Sequence, residues 1–270
     1  MLTPVVIKEK AVRKWPDFRD RLLKSLILED STLFFPLIIR GDTSLRDTFS
    51  ESAEAYSILL GESKEKKEKG YTLIWEKKNI RGYGTQSVIK NIFIETEEDY
   101  FFLTGKEETK TAICSCINAI SPLFNDKSAL YNWARSHTKD IENQYTDWSA
   151  VAKTISYFLD HRDNRSYYLR ELPIMVHTKF IEENASLLIS LFSALIGETF
   201  NSNRPEDVFR LKRKPLLIRF RMKSKRWIRD EMAIPLTSFS VLDEEEDLSD
   251  IKRVFIIENE AVYLSFPLSE

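Results

Sequence analysis

The sequence predicts an α+β protein in which helices dominate and short strands pair as hairpins. Of its 270 residues, 43% are hydrophobic and 30% are charged, with 7 Gly and 9 Pro, a composition typical of a folded, helix-rich chain. Several segments repeat apolar residues at helical spacing, whereas others have the composition and alternation of strands. The chain is long enough to bury one large core or two ordinary ones.

Residues 1–140 are predicted to form an N-terminal arm domain of mixed helices and strands. Its helices are expected at about 7–28, 44–60, 107–120 and 126–136. Its extended segments are expected at 34–39, 71–80, 87–95 and 99–105. Pro16 interrupts the first helical pattern and is expected to mark the start of the helix proper.

The turn RGYGTQ joins two of these predicted strands. Gly82, Gly84 and Ser87 loosely imitate a glycine-rich phosphate loop. Such a loop opens a helix, whereas this one precedes a strand pattern. The sequence therefore favours a plain hairpin turn.

Residues 141–241 are predicted to form a central winged-helix-like, DNA-binding domain. Two amphipathic helices, expected at 148–161 and 178–197, precede a basic strand pair within 211–230. Helices followed by such a pair suggest a winged-helix unit. The acidic segment LDEEEDLSD (242–250) is expected to be a linker to whatever follows.

Positive charge is concentrated before that linker. Residues 241–270 hold nine acids against two bases, so a chain of net charge -2 carries +5 over residues 1–240. Within 210–230 one acid, Asp230, faces ten bases. These are Arg210, Lys212, Arg213, Lys214, Arg219, Arg221, Lys223, Lys225, Arg226 and Arg229.

One stretch of this segment alternates strictly between apolar and basic residues. Arg219, Arg221 and Lys223 should therefore share one strand face at intervals of about 7 Å, comparable to the phosphate spacing along a DNA strand. This predicts contact with a phosphate backbone. The alternative is a solvated strand whose charges discourage edge pairing. Base-specific readout is not predicted, because no recognition helix rich in Arg, Asn or Gln is apparent.

The cysteines and the apolar segments indicate a cytoplasmic protein. Cys114 and Cys116 are one residue apart, too close for an unstrained disulfide and too few for a zinc site. The N-terminus has no apolar core of signal-peptide length. The most apolar stretch, at 187–197, is too short to span a bilayer.

Three segments resemble the JetD family, the nuclease subunits of the Wadjet plasmid-defence systems. They are YLRELPIMVHTKFIEEN (168–184), IRFR (218–221) and VFIIENEAVYLSFP (254–267). The resemblance implies an arm domain and a central domain similar to the catabolite-activator-like domain of type IIB (topoisomerase VI) A subunits. It also implies that 250–270 begin a C-terminal α/β Toprim nuclease domain with its first strand and turn.

The resemblance assigns a catalytic and metal-binding role to Glu258. Toprim domains hold divalent metal, Mg²⁺ or Mn²⁺, through a Glu at the end of the first strand and an Asp-x-Asp pair on a later strand. No Asp-x-Asp pair follows Glu258. The chain is therefore expected to be truncated inside its Toprim domain, to bind no metal and to be inactive alone. The alternative is a strand-end Glu facing solvent.

Further DNA contacts are expected around the HTKFIE segment. A helix N-terminus with nearby cations suits a phosphate, which nominates Arg170, His177 and Lys179. Alternatively, Arg170 pairs with Glu171 or Glu182 and stabilises the turn. The resemblance implies double-stranded DNA and the structural-maintenance-of-chromosomes-type Wadjet complex as partners, and it leaves a homodimer open.

A second functional hypothesis needs no catalysis. In it the chain is a protein or nucleic-acid interaction module whose arm docks a protein partner while the basic strand steadies the fold. A salt titration of DNA binding separates the two hypotheses, because phosphate contacts weaken steeply with salt.

Overall fold

The computed structural model describes residues 2–30, 32–40, 49–80, 82–213, 217–223, 228–235 and 253–267. Helices predominate among these residues and accompany a three-stranded sheet, which confirms the α+β class. It divides into two compact units, one of Met1–Arg162 with Pro173–Phe209 and one of Asp163–Leu172 with Arg210–Glu270. Within the described residues, no helix has the length and apolar character needed to cross a membrane.

The first unit contains most of the helices and a three-stranded antiparallel sheet. Its described helices are α1 (Pro4–Arg13), α2 (Trp15–Leu28), α3 (Phe49–Gly61), α4 (Lys64–Lys67), α5 (Glu97–Thr104), α6 (Glu107–Ile120), α7 (Lys127–Ser136), α8 (Thr138–Ile141), α9 (Trp148–Asp160), α10 (Thr178–Glu183), α11 (Ala185–Ile196) and α12 (Pro205–Val208). Its strands are β1 (Leu37–Ile38), β2 (Thr72–Ile80) and β3 (Gly84–Ile94), in the order β1-β3-β2.

The N-terminal helical pattern forms two helices rather than one. Lys14 separates α1 from α2, and Pro16 lies in the first turn of α2, where its missing N–H costs nothing. Phe18 of α2 is buried at the centre of an aromatic cluster. Its ring contacts those of Trp15, Phe34, Phe35, Tyr100 and Phe101, with centroids 5.3–6.0 Å apart.

The helices α6, α7, α9 and α11 form a second part of the same core. Their buried apolar positions include Ile113, Trp133, Ile155 and Leu188. Helix α9 packs against α6, and α11 packs against both α7 and α9. The apolar periodicity of the sequence predicted the first and last residues of three of these helices, α6, α7 and α9, to within one residue.

The segment DYFFLTG, predicted as a strand, is instead the body of helix α5. The Thr96 hydroxyl caps this helix by accepting from the Asp99 N–H at 3.2 Å, and three acids occupy its first turn. Gly105 ends it in the left-handed region at φ 67°. The cap, the acidic start and the glycine stop favour a helix over the strand preference of the aromatic residues.

Strands β2 and β3 form a hairpin whose far end is exposed on both faces. The two strands pair antiparallel from Thr72 opposite Phe93 to Ile80 opposite Gly84, with a bulge between Ile74 and Trp75. We call residues 76–80 and 84–87 the distal ribbon; they are exposed or half-buried throughout. The predicted hairpin turn is thus confirmed.

The base of this hairpin is closed by the buried carboxylate of Asp99. It accepts from the Gly70 N–H at 3.1 Å, just before β2, and from the Thr96 hydroxyl at 2.8 Å, just after β3. Lys64 Nζ reaches the same carboxylate at 2.7 Å and Glu95 at 3.0 Å. The chain entering the hairpin and the chain leaving it are therefore tied to one group.

Among its described residues, the second unit contains an antiparallel strand pair, a short α-helix and a 3-10 helix at Leu169–Glu171. Strands β4 (Leu217–Lys223) and β5 (Ile228–Pro235) pair from Leu217 opposite Pro235 to Lys223 opposite Ile228, and helix α13 spans Glu260–Ser265. The strand pair expected in 211–230 is present. A parallel bridge joins the buried Asn164 to Leu211.

The strand predicted to carry Glu258 is not formed. Residues 253–259 have no regular secondary structure, and the side chains of Val254, Phe255 and Ile256 are 80%, 58% and 96% exposed. An apolar segment becomes a buried strand only when neighbours pair with it, and none of the described strands does so. The predicted linker at 242–250 lies outside the described residues.

Candidate nucleic-acid interface

The basic face of β4 carries two arginines that both lie against one tyrosine ring. The guanidinium carbons of Arg219 and Arg221 lie 5.5 and 5.0 Å from the ring centroid of Tyr263 in α13. Cations over an aromatic face are attracted by the ring's negative potential. Tyr263 therefore holds two like charges close together on the β4 side of α13.

Both arginines also bind α13 and the residue after it through hydrogen bonds. Arg219 pairs with the carboxylate of Glu260, the first residue of α13. Arg221 donates to the carbonyl oxygens of Tyr263 at 2.5 Å and Phe266 at 2.6 Å. Carbonyls at the end of a helix lack helical partners and carry partial negative charge, so they suit a guanidinium.

The alternation predicted for this strand is interrupted at Arg221. The β4–β5 register shifts between Phe220 and Met222, so Arg221 stands at an irregularity of the ladder. Such irregularities redirect side chains. Consistent with this, Arg221 is half-buried like its apolar neighbours Ile218 and Phe220, whereas Arg219 is exposed.

The arginine cluster keeps some unused hydrogen-bonding capacity. Arg221 Nε and the Tyr263 hydroxyl are buried, and neither has a hydrogen-bond partner among the described residues. A buried polar group without a partner is costly, and a ligand oxygen or water is the usual remedy. Because both atoms are buried, an external phosphate does not reach them in this arrangement, and Arg219 is the exposed arginine of the cluster.

Lys223, the third predicted contact, is described only through its backbone. It ends β4 opposite Ile228, and its side chain lies outside the described part of the chain. Of the other bases between 210 and 230, Lys214, Lys225 and Arg226 lie outside it entirely. The continuity of the predicted basic face thus stays a prediction.

Arg170, in a short 3-10 helix of the second unit, is exposed. The carboxylate of Glu171, its expected alternative partner, accepts instead from the Tyr168 N–H at 3.0 Å. Lys212 Nζ lies 4.5 Å from the Tyr168 ring centroid, and the Lys212 N–H donates to the Tyr167 carbonyl at 2.8 Å. The Tyr168 ring and the Tyr167 backbone thus make structural contacts, and Arg170 adds an exposed cation to this segment.

His177 and Lys179 lie in the first unit, at the start of α10. His177 is the N-cap of this helix, and its Nδ1 accepts from the Lys179 N–H at 3.2 Å. Lys179 Nζ lies 3.4 Å from Glu183, with both side chains more than half exposed. The helix predicted over 178–197 is interrupted at Asn184, which separates α10 from α11.

Glu258 is exposed in the irregular segment before α13. The next polar residue, Asn259, caps α13 by accepting from the Val262 N–H at 3.1 Å, and Glu260 is committed to Arg219. Among the described residues no three His, Cys, Asp or Glu side chains come together as metal ligands. One carboxylate does not make a Mg²⁺ or Mn²⁺ site, so these residues do not fit the implied metal.

Tyr263 is the functional candidate that sequence reasoning missed. It lies 42 and 44 positions along the chain from the two arginines whose guanidinium groups it faces. Alternation along β4 identifies a basic face, but no local pattern identifies the distant residue that covers it. The sequence offers one indirect signal. Asn259, a residue type that favours helix N-caps, precedes Tyr263 by four positions and indicates that Tyr263 lies in a helix.

Comparison with known proteins places the chain in a bacterial family. The model of that family, described as "Uncharacterized protein conserved in bacteria N-term (DUF3322)", matches residues 4–193. No curated protein matches the chain. The matched region includes Arg170, His177 and Lys179 and ends before β4. Because it spans more than half of the sequence, the chain belongs to the DUF3322 family of bacterial N-terminal regions.

Proposed function

We propose that this chain is the DNA-binding part of a Wadjet-type Toprim nuclease subunit of the JetD family. The observation that carries the proposal is the pair of arginines, Arg219 and Arg221, gathered over Tyr263 within a segment rich in bases. Arginine forks bind phosphate oxygens in two-pronged geometry. Membership of the DUF3322 family is compatible with a JetD N-terminus, and the sequence resemblance supports it.

The ligands of the arginines suggest how DNA would be bound. The Glu260 carboxylate and the carbonyls of Tyr263 and Phe266 are oxygen acceptors, as phosphate oxygens are. In the proposal a DNA phosphate competes with Glu260 for Arg219, and the charge of Arg221 lies beside it. The arginines contact backbone phosphates and carry no base specificity.

Cleavage belongs to the complete protein in this proposal. The complete subunit would cut closed circular DNA delivered by a structural-maintenance-of-chromosomes-type complex, and so act against plasmids. Glu258 is proposed as one catalytic carboxylate and metal ligand there. Because the described residues supply no second ligand, no step of cleavage is assigned to this chain.

A salt titration of duplex binding tests the DNA contact. Lys8, Lys66 and Lys139 are exposed cations of the first unit and supply a charge-matched control, Lys8→Gln/Lys66→Gln/Lys139→Gln. The variant Arg219→Gln/Arg221→Gln/Lys223→Gln should lower the slope of log affinity against log salt by about 2.7, for three lost phosphate contacts. Equal slopes for the variant and the control would refute the β4 site.

A second variant guards against local unfolding. Arg221 holds the end of α13, so its loss changes structure as well as charge. Arg219→Gln/Lys223→Gln keeps those hydrogen bonds and should still lower the slope by about 1.8.

Plasmid cleavage tests the assignment of catalysis. Residues 1–270 with Mg²⁺ or Mn²⁺ should leave supercoiled plasmid intact on a gel. Cleavage that disappears in Glu258→Ala would show that this chain carries a working metal site by itself, contrary to the proposal.

One observation favours the alternative, a non-catalytic interaction module. Arg219 and Arg221 are both bound by the chain's own helix, as expected if the basic strand steadies the fold. In that case the arm docks a protein partner, and duplex DNA is not bound at low salt.

A further inference from the structure

The distal ribbon of the first unit has the dimensions of an element that enters a DNA groove. Its strands pair residue by residue from Lys77 opposite Ser87 to Ile80 opposite Gly84. Five residues of strand span about 17 Å, and two strands lie about 5 Å apart. The major groove of B-DNA, about 12 Å wide, admits a two-stranded ribbon of this kind.

The chemistry of the ribbon is basic and rich in hydrogen-bonding groups. In the sequence EKKNIRGYGTQS (76–87), Glu76 is the one acid against Lys77, Lys78 and Arg81, of which Arg81 lies outside the described residues. The Glu76 carboxylate lies 3.8 Å from Lys90 Nζ. Lys77 and Lys78 are exposed. A polyanion therefore meets net positive charge here.

The register sorts these groups onto two faces. Lys77 pairs with Ser87 and Asn79 with Thr85, and directly opposed residues of antiparallel strands share a face. That face offers a cation, an amide and two hydroxyls, the groups that contact phosphates and base edges. On the other face Gln86 is committed to the turn, because its amide donates to the Tyr83 carbonyl at 2.6 Å.

We propose that the distal ribbon is a second contact surface for double-stranded DNA and lies in the major groove with its Lys77–Asn79 face toward the bases. This inference rests on the proposed DNA-binding function and extends it to the first unit. The carboxylate-free end of the ribbon complements a phosphate backbone. The exposed residues Ile74 and Trp75 lie at the base and the exposed Tyr83 lies at the turn, and the exposed side chains between them are charged or polar. That stretch therefore favours a polyanion over an apolar protein partner.

Binding of duplexes by chain 1–270 tests the inference, using fluorescence anisotropy and a fluorescein-labelled 30-base-pair duplex. The ribbon variant is Lys77→Gln/Lys78→Gln, and the matched control is Lys8→Gln/Lys66→Gln, which removes two exposed cations from helices of the same unit. The ribbon variant should bind at least about 10-fold more weakly at 0.1 M salt. Because Lys77 lies on the face toward the DNA and Lys78 on the opposite face, the slope should fall by about 0.9, for one lost phosphate contact. The control should bind like the wild type.

A second duplex tests the groove. Glucosylated 5-hydroxymethylcytosine places sugars in the major groove and leaves the phosphates unchanged. The wild type should bind this duplex at least about 5-fold more weakly than the plain one. The ribbon variant should discriminate less between the two.

The outcomes separate this inference from the function on which it rests. If the wild type binds and the ribbon variant matches the control, the ribbon does not contact DNA; it is then free to dock a protein, and the proposed function stands. If the ribbon variant weakens binding while Arg219→Gln/Lys223→Gln does not, the inference stands and the β4 site fails. No binding by the wild type defeats both. Equal wild-type affinity for the two duplexes overturns the groove placement.

Discussion

The two units each contain a basic antiparallel hairpin, but the basic side chains of the two hairpins differ in what they contact. In the β4–β5 hairpin, Arg219 and Arg221 are bound by α13 of the same chain. In the β2–β3 hairpin, Lys77 and Lys78 are exposed in the distal ribbon. A basic strand therefore does not by itself predict a ligand-binding site, because its basic side chains can be bound by another segment of the same chain.

The hairpins also differ in what holds them. A buried carboxylate, Asp99, ties the chain at both ends of the β2–β3 hairpin. The β4–β5 hairpin is described with an exposed ion pair and two hydrogen bonds to carbonyls. A buried anchor is expected to matter to the whole unit, whereas partly exposed contacts stabilise only what they touch.

The largest effect is expected from removing the buried anchor. Asp99→Ala removes the hydrogen bonds that this buried carboxylate accepts from Lys64, the Gly70 N–H and the Thr96 hydroxyl, so the free energy of unfolding should fall by about 3 kcal/mol. Urea denaturation followed by circular dichroism measures this. Glu260→Ala, at the exposed pair, should cost no more than about 1 kcal/mol. Equal losses of unfolding free energy in the two variants would show that the buried and the exposed carboxylate contribute alike to stability.

Arg221→Ala should have a smaller and local effect. It removes two hydrogen bonds from a charged donor, about 1.5–3 kcal/mol, and these hold the end of α13. Amide exchange of residues 259–266, followed by mass spectrometry, should therefore accelerate about 10- to 100-fold. The matching change in the other hairpin, Lys78→Ala, should leave the exchange of β2 unchanged. Unchanged exchange around α13 would mean that Arg221 does not hold it.

Acid should weaken the first hairpin's anchor in part. Burial raises the pKa of Asp99, but the hydrogen bonds from Lys64, Thr96 and the Gly70 N–H outweigh burial and lower it. A lowered folded-state pKa stabilises the fold above the unfolded value, near 4, and that stabilisation is lost as the pH falls through the folded value. The stability advantage of wild type over Asp99→Asn should therefore shrink between pH 7 and pH 3. A constant advantage would show that the charge of Asp99 is unimportant.

The smallest effect is expected from freeing Arg219. Glu260→Gln removes the carboxylate that competes with phosphate, and duplex affinity should rise about 2- to 5-fold, as an exposed pair allows. Glu198→Gln removes the same charge from an exposed side chain with no proposed role in binding and is the control. An equal rise in both variants would point to general repulsion rather than to competition at Arg219.

Local patterns in the sequence predicted much of the first unit. Apolar spacing placed α6, α7 and α9, and the glycine turn placed the β2–β3 hairpin. Aromatic residues misled the prediction at α5, where the cap at Thr96 decides for a helix. Short-range sequence patterns were therefore sufficient to locate these helices and the hairpin. They failed at α5, where the strand preference of the aromatic residues was given more weight than the helix cap.

The candidate interface was less predictable, because its contacts join distant segments. Alternation found Arg219 and Arg221, yet their partners Glu260 and Tyr263 lie about forty residues further on. The irregularity at Arg221 also depends on strand register, which side-chain alternation alone does not specify. Glu258 was placed on a strand because its segment is apolar, but the described strands leave it unpaired.

The closure at Asp99 has an evolutionary consequence for the hairpin beyond it. Asp99 fixes both ends of the hairpin at its base. Mutations or length changes in the distal ribbon and its turn are therefore expected to have little effect on the folding of the helices. We expect related bacterial proteins to tolerate sequence changes in this projection while keeping the same base. Variation among relatives should therefore concentrate between the bulge at Trp75 and Ser87, the stretch where changes cost the least stability.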